Sequence, residues 1–173
     1  MFAAARPTSS DSLTVMKRIL LCLLLLVWAS VARAESIVVI VRHAEKASGQ
    51  SDDPSLSEAG RARAETVSRM LQDSEISAIF TTEFKRTKET AAPTAIALKI
   101  TPTVVRATEI AALADKLREL HGNALVVAHG NTIPDLIKTL GIDVPVNIPE
   151  SDYDHFFIVA VGNQPCLLRL SYP

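Results

Sequence analysis

The chain has 173 residues, 48% of them hydrophobic, and a formal net charge of −1, which bounds it to one domain with room for a sizeable core. Beyond residue 34 it keeps 14 basic against 18 acidic side chains, and a net charge near −4 argues against general nucleic-acid binding. An anionic ligand must therefore be held by a local cluster.

Residues 1–15 are polar and carry no pattern, and Met16 is an alternative start to Met1. Lys17 and Arg18 precede the apolar run Ile19 to Trp28, and Ala32-Arg33-Ala34 then gives the small-x-small pattern of a signal-peptidase site. That order predicts a secretory signal over residues 1–34, too short in its apolar part for a stable membrane span. Cys22 lies in the apolar run without the small residues of a lipobox, so no lipid anchor is predicted. Cleavage before Glu35 leaves a domain of residues 35–173 with Cys166 alone, and such a domain rests on packing rather than disulfides.

The continuous β-branched run Ile37–Val41 predicts a strand buried on both faces, which ends in Arg42 and His43. Residues 44–56 read as a loop over that end. Ser57 caps a predicted helix with Ala64, Val67, Met70 and Leu71 inward and Arg61, Arg63 and Glu65 outward. Gly60 inside this helix predicts close packing against the neighbouring loop. Ile76–Phe80 is a second strand ending in Thr81-Thr82, followed by a helix from Glu83 or Phe84 to Leu98 with a kink or restart at Pro93.

Thr103–Val105 is a short third strand, and Glu109–Leu120 an amphipathic helix closed by His121-Gly122. Leu125–Ala128 is a fourth strand, ending in His129-Gly130-Asn131. A helix from Thr132 to Leu140 takes Pro134 in its first turn, and residues 144–151 form a proline-rich loop. His155–Val161 and Leu167–Tyr172 flank Gly162-Asn163-Gln164-Pro165 as an antiparallel hairpin. The alternation predicts a three-layer α/β/α domain with a mostly parallel sheet.

Three strand ends thus offer Arg42 and His43, Thr81-Thr82 with Arg86 beyond, and His129 to one rim, where ligands of open α/β sheets bind. Two arginines and two histidines form an anion pocket, suited to a phosphoryl group because the guanidinium fork matches its oxygens. A metal site is the weaker reading, since neither histidine has a carboxylate, cysteine or histidine at ligand spacing and guanidinium groups repel a cation. His121 and His155 are read as surface or loop residues.

Four segments resemble, in order, motifs of the histidine phosphatase superfamily, also called phosphoglycerate mutase-like: VVIVRHAEK, LSEAGRARA, TTEFKRTKETA and VVAHGNTI. The resemblance spans roughly residues 36–140. It implies that His43 is a nucleophile that becomes phosphohistidine, with Arg42, Arg86 and His129 holding the phosphoryl oxygens, and that neither metal nor other cofactor is required. A neutral imidazole nitrogen is a competent nucleophile, and fixed positive donors stabilise charge on the transferred oxygens. The leaving alkoxide also needs a proton. The family commonly takes that acid from the segment after the third strand, which points to Glu109, with Glu45, Asp53 and Asp135 as alternatives.

Two features depart from the pattern. Ala44 replaces the more frequent glycine, and the asparagine of mutase-type members is missing, so their substrate contacts do not transfer. The chain also lacks long insertions over the pocket, which favours hydrolysis over phosphoryl return. The expectation is a periplasmic or secreted phosphatase of the histidine acid phosphatase type, acting on a small-molecule or glycolipid phosphomonoester and meeting the membrane only through its signal during export. The alternatives are a protein phosphohistidine phosphatase and a non-catalytic phosphate- or polyanion-binding module.

Overall fold

The computed structural model describes residues 36–49 and 51–172. The expected signal segment, its expected cleavage site and Cys22 lie outside the described residues. No helix among those described is long and apolar enough to cross a membrane.

The strands are β1 (Ser36–Arg42), β2 (Ile76–Thr81), β3 (Thr103–Val104), β4 (Asn123–Ala128), β5 (His155–Val161) and β6 (Cys166–Ser171); the helices are α1 (Glu58–Leu71), α2 (Lys85–Leu98), α3 (Ile110–Glu119) and α4 (Ile133–Thr139). They build one six-stranded sheet in the order β3-β2-β4-β1-β5-β6. The pairs β2·β3, β2·β4 and β1·β4 are parallel, and β1·β5 and β5·β6 are antiparallel. The predicted α/β class and hairpin are therefore present.

Alternation along the central strands divides the core between two faces, as the pleat requires. Val39, Val41, Ile79, Leu125 and Val127 pack with Val67 and Leu71 of α1 and Ala91 and Ala95 of α2. Val38, Ile40, Phe80, Val126 and Phe157 pack with Ala114 and Leu117 of α3 and Ile133, Leu136 and Ile137 of α4. Helices on both faces explain why β1 and β4 read as unbroken apolar runs.

Three local expectations differ from the structure. Met70 is 43% exposed, because Ala64, Val67 and Leu71 already fill the buried stripe of α1. Arg63 does not turn to solvent but is half-buried in a two-pronged bond with Glu45 at 2.8–3.0 Å. Pro93 does not restart α2, which runs unbroken to Leu98. Its missing donor is tolerated in a helix anchored by buried Thr87, Thr90, Ala91, Thr94 and Ala95. α2 then ends with Lys99 in the left-handed conformation at φ 56°, its N–H and that of Ile100 closing back on Ala95 and Ile96 carbonyls.

Candidate active site

Strand register alone brings the polar ends together. Arg42 pairs with Ala128 across β1 and β4, and the His43 amide donates to the Ala128 carbonyl at 2.9 Å. His43 and His129 therefore leave adjacent strands side by side, with ring centroids 5.3 Å apart. β2 borders β4 on the other side with Thr81 opposite Val127, so Thr82 meets His129 and the first turn of α2 carries Arg86 to the same rim. The result is a cleft of about 590 Å³ lined by Arg42, His43, Lys46, Arg86 and His129 at its charged end, with Glu150 the one carboxylate among its lining residues.

His43 Nδ1 lies 2.8 Å from the Ala44 carbonyl, which can only accept. The ring proton is therefore on Nδ1, and Nε2 keeps its lone pair. Ala44 is itself fixed, since its amide donates to Thr90 Oγ1 at 2.9 Å and that hydroxyl donates to the Arg86 carbonyl at 2.7 Å. Arg42 is buried and bonds through NH1 to the carbonyls of Pro149 (2.8 Å) and Asp152 (2.9 Å), and its guanidinium carbon stands 4.3 Å from the Tyr153 ring centre. Its Nε is buried without a hydrogen-bond partner. Arg86 stacks on Phe84 at 4.3 Å, reaches His129 Nδ1 at 3.4 Å and pairs with Asp53 at 3.7 Å.

Two guanidinium groups and a lone-pair imidazole lining one cleft form a constellation suited to an oxyanion beside a nucleophile. Residues 38–111 match the histidine phosphatase superfamily, branch 1. The family that the four motifs resemble is thus the one whose model matches residues 38–111. Among solved structures the histidine phosphatase fold recurs in the protein histidine phosphatase SixA complexed with tungstate, with a TM-score of 0.64 at 18% identity over 78% of this chain and 96% of that one. A mycobacterial glucosyl-3-phosphoglycerate phosphatase matches with a TM-score of 0.62 at 14% identity over 80% and 100% of the two chains. A third structure, mycobacterial hydrolase 2, gives 0.60 at 13% over 80% and 90%. At these identities the likeness is one of fold. No curated protein matches the sequence.

Within this histidine phosphatase fold both cleft imidazoles are held neutral. Burial pushes His43 down to about 4; the Ala44 bond works the other way, and the charges of His129, Arg86 and Arg42 add to the depression. Burial, then Arg86, lowers His129 to about 4 as well, with Glu83 opposing. Because folded values lie below the ordinary 6.5, the unfolded chain binds more protons between the two limits, and stability rises with pH there. The contribution is complete above about 6.5 and lost as pH falls through about 4, on the order of 3 kcal/mol per histidine. The urea midpoint should therefore fall between pH 7 and pH 4, and a His43→Gln, His129→Gln double variant should flatten that fall. An equal slope in the double variant would refute the assignment.

The structure does not bring Glu109 to this cleft. It is exposed at the head of α3, where the turn closed by its amide on the Arg106 carbonyl starts the helix, and it is not among the cleft-lining residues. Nor do the alternatives serve. Although burial opposes it, the Arg63 bonds and charge hold the Glu45 carboxyl below its usual range. Asp53 accepts from the Lys85 amide at 3.0 and 3.2 Å, capping α2 where Phe84 cannot, and pairs with Arg86. Asp135 is exposed in the first turn of α4.

Cleft residues that the sequence motifs did not single out are Glu150 and Asn147 on the loop before β5, joined by Tyr153 against Arg42 and His43. One signal was available: the proline-rich loop precedes a strand adjacent to β1, so it had to cross the same rim. Among the described residues, Asp152, Asp154 and His155 have ligand atoms close enough to share a cation, within 4.8 Å of one another. They line a separate cleft with Glu45 and Arg63, and His155 is occupied by Asp152 at 2.8 Å.

Proposed function

We propose that this protein is an exported phosphatase that hydrolyses phosphomonoesters through a phosphohistidine on His43. The observation that carries the reading is the His43 Nδ1 bond to the Ala44 carbonyl, which leaves Nε2 as a lone-pair donor in a cleft that Arg42 and Arg86 also line. In the first step Nε2 forms a bond to phosphorus while the ester oxygen leaves with its electron pair and takes a proton. In the second, water attacks phosphorus, the N–P bond breaks back to Nε2, and phosphate departs. Arg42 and Arg86 stabilise the charge on the transferred oxygens in both steps, and His129 holds Arg86 through Nδ1. Glu150, as the carboxylate lining the cleft, replaces Glu109 as the candidate proton donor.

A small-molecule or glycolipid monoester fits an open cleft at the end of the sheet. A protein phosphohistidine is the second reading, favoured by the structural likeness to SixA, of which the match covers 96%. The testing experiment is hydrolysis of a broad phosphomonoester panel and a phosphohistidine peptide by wild type beside His43→Ala. Activity on the peptide alone selects the second reading, and a wild type inactive on every substrate removes both in favour of a binding module.

Export rests on the order Lys17-Arg18, apolar run and Ala32-Arg33-Ala34. Amino-terminal sequencing of the protein made by secreting cells should place the mature start near Glu35. A start at Met1 or Met16 with the protein in the cytosol would refute it.

A further inference from the structure

His129 is braced from behind by a chain of hydroxyls whose direction can be settled by counting protons. Thr87 Oγ1 lies 2.8 Å from the Phe84 carbonyl and 3.2 Å from the Thr82 carbonyl, and carbonyls only accept, so the single Thr87 proton goes there. The 2.9 Å contact between the two threonine hydroxyls must then be donated by Thr82. With that proton engaged, the 3.0 Å contact between Thr82 Oγ1 and His129 Nε2 must be donated by the ring. The amides of Thr82 and Phe84 complete the cluster, donating to Thr87 Oγ1 at 3.2 Å and Thr82 Oγ1 at 3.4 Å.

The opposite edge of the ring gives the same answer independently. Arg86 NH2 can only donate and stands 3.4 Å from Nδ1, so Nδ1 carries the lone pair. Thr82, Thr87 and His129 are all buried, and water does not compete for these bonds. We propose that Thr82 and Thr87 are positioning residues that hold His129 as its Nε2–H tautomer and so keep Nδ1 an acceptor for Arg86, fixing that guanidinium where the phosphoryl group binds.

The consequence is a division of labour between two edges of one ring. Nε2 is tied into the scaffold, and Nδ1 accepts from Arg86, so the ring steadies the guanidinium whose remaining N–H groups meet an oxyanion. Removing the Thr82 hydroxyl strands a buried Nε2–H without an acceptor, which the ring escapes by moving its proton to Nδ1 or by rotating. Either response points an N–H at the Arg86 donor or turns Nδ1 away from it. Removing the Thr87 hydroxyl acts one step further back: it frees the Thr82 proton to be donated to Nε2, which admits the other tautomer.

The kinetic arm of the test rests on the phosphatase reading; the spectroscopic arm does not. Full-length protein labelled with ¹⁵N-histidine should show the His129 Nε2 protonated and Nδ1 unprotonated at neutral pH. Thr82→Val should lose that signature, Thr87→Val should show both tautomers, and Thr82→Ser should keep it. With a phosphomonoester substrate, Thr82→Val should lower kcat by roughly 10–100-fold, the range seen when ring-orienting partners of a histidine are removed. KM should change far less, and Thr82→Ser should restore kcat. A wild-type Nδ1–H tautomer, or valine variants with unchanged tautomer and unchanged kcat, would overturn the assignment. Should Thr82→Val fail to fold, Thr87→Val and the wild-type spectrum decide it. Should wild type hydrolyse nothing, the spectra still report the tautomer, and only the phosphatase reading falls.

Discussion

His43→Ala should lower hydrolysis by about 10³-fold or more, equivalent to roughly 4 kcal/mol of transition-state stabilisation. The expectation follows from what remains after the ring is cut back. Arg42, Arg86 and His129 keep their own anchors, which are the Pro149 and Asp152 carbonyls, the Phe84 ring with Asp53, and Thr82. None of these anchors passes through the His43 ring. Oxyanion binding, read by competition with tungstate or inorganic phosphate, should survive while turnover is lost. That split separates a nucleophile from a binding residue, because a residue that only binds raises KM with kcat kept. Transient labelling should also trap phosphate on a nitrogen of His43 in wild type and nowhere in the variant. Retention of activity within tenfold, or a label on another residue, would refute the assignment.

Gly60→Ala should destabilise the domain by about 2 kcal/mol, a loss of roughly 5–10 °C in Tm. Helix propensity alone argues the other way, since alanine is favoured over glycine inside a helix by about 1 kcal/mol. Steric exclusion decides the sign. A Cβ on Gly60 would stand 2.2 Å from the Glu45 carbonyl oxygen and 3.0 Å from its amide nitrogen, and both are backbone atoms. That oxygen cannot simply retreat, because it accepts from the Ser57 amide at 2.8 Å. Ser57 in turn caps the helix through the Gly60 amide at 3.0 Å. The loop and the first turn of α1 are thus locked at one residue, two positions after His43. Relaxation would displace Ala44, whose carbonyl sets the His43 tautomer, so kcat should fall together with Tm. An unchanged or raised Tm would show that the loop yields without cost.

The parts of the fold carried by apolar periodicity are legible in the sequence. Unbroken runs at Val38–Val41 and Leu125–Ala128 marked the two strands whose ends form the site, and Gly60 announced its close contact. What was not legible depends on backbone or on buried polar chains. The partners of Arg42 are carbonyls of Pro149 and Asp152, and a carbonyl has no residue type to read. Thr87 and Thr90 have the composition of a solvated helix face, yet both are buried, Thr87 behind Thr82 and Thr90 behind Ala44, as hydrogen-bond supports for the histidines. Arg63 looked outward-facing on helical spacing alone, and only the folded loop supplies Glu45 as its partner. Family position points to Glu109, whereas in the structure it is exposed at the head of α3.

The place of β1 in the sheet governs how the site fails. It is paired on both sides, with β4 and with β5, and the His43 amide extends the ladder to Ala128. Amide protons so situated exchange with solvent through opening of the whole domain, while those in surface loops exchange through small local excursions. Residues 146–148 can therefore drift through sequence space without loosening the histidine, while Pro149 and Asp152 stay tied to Arg42. Substrate range can diversify in that stretch while the reacting atom is carried by a strand paired on both sides.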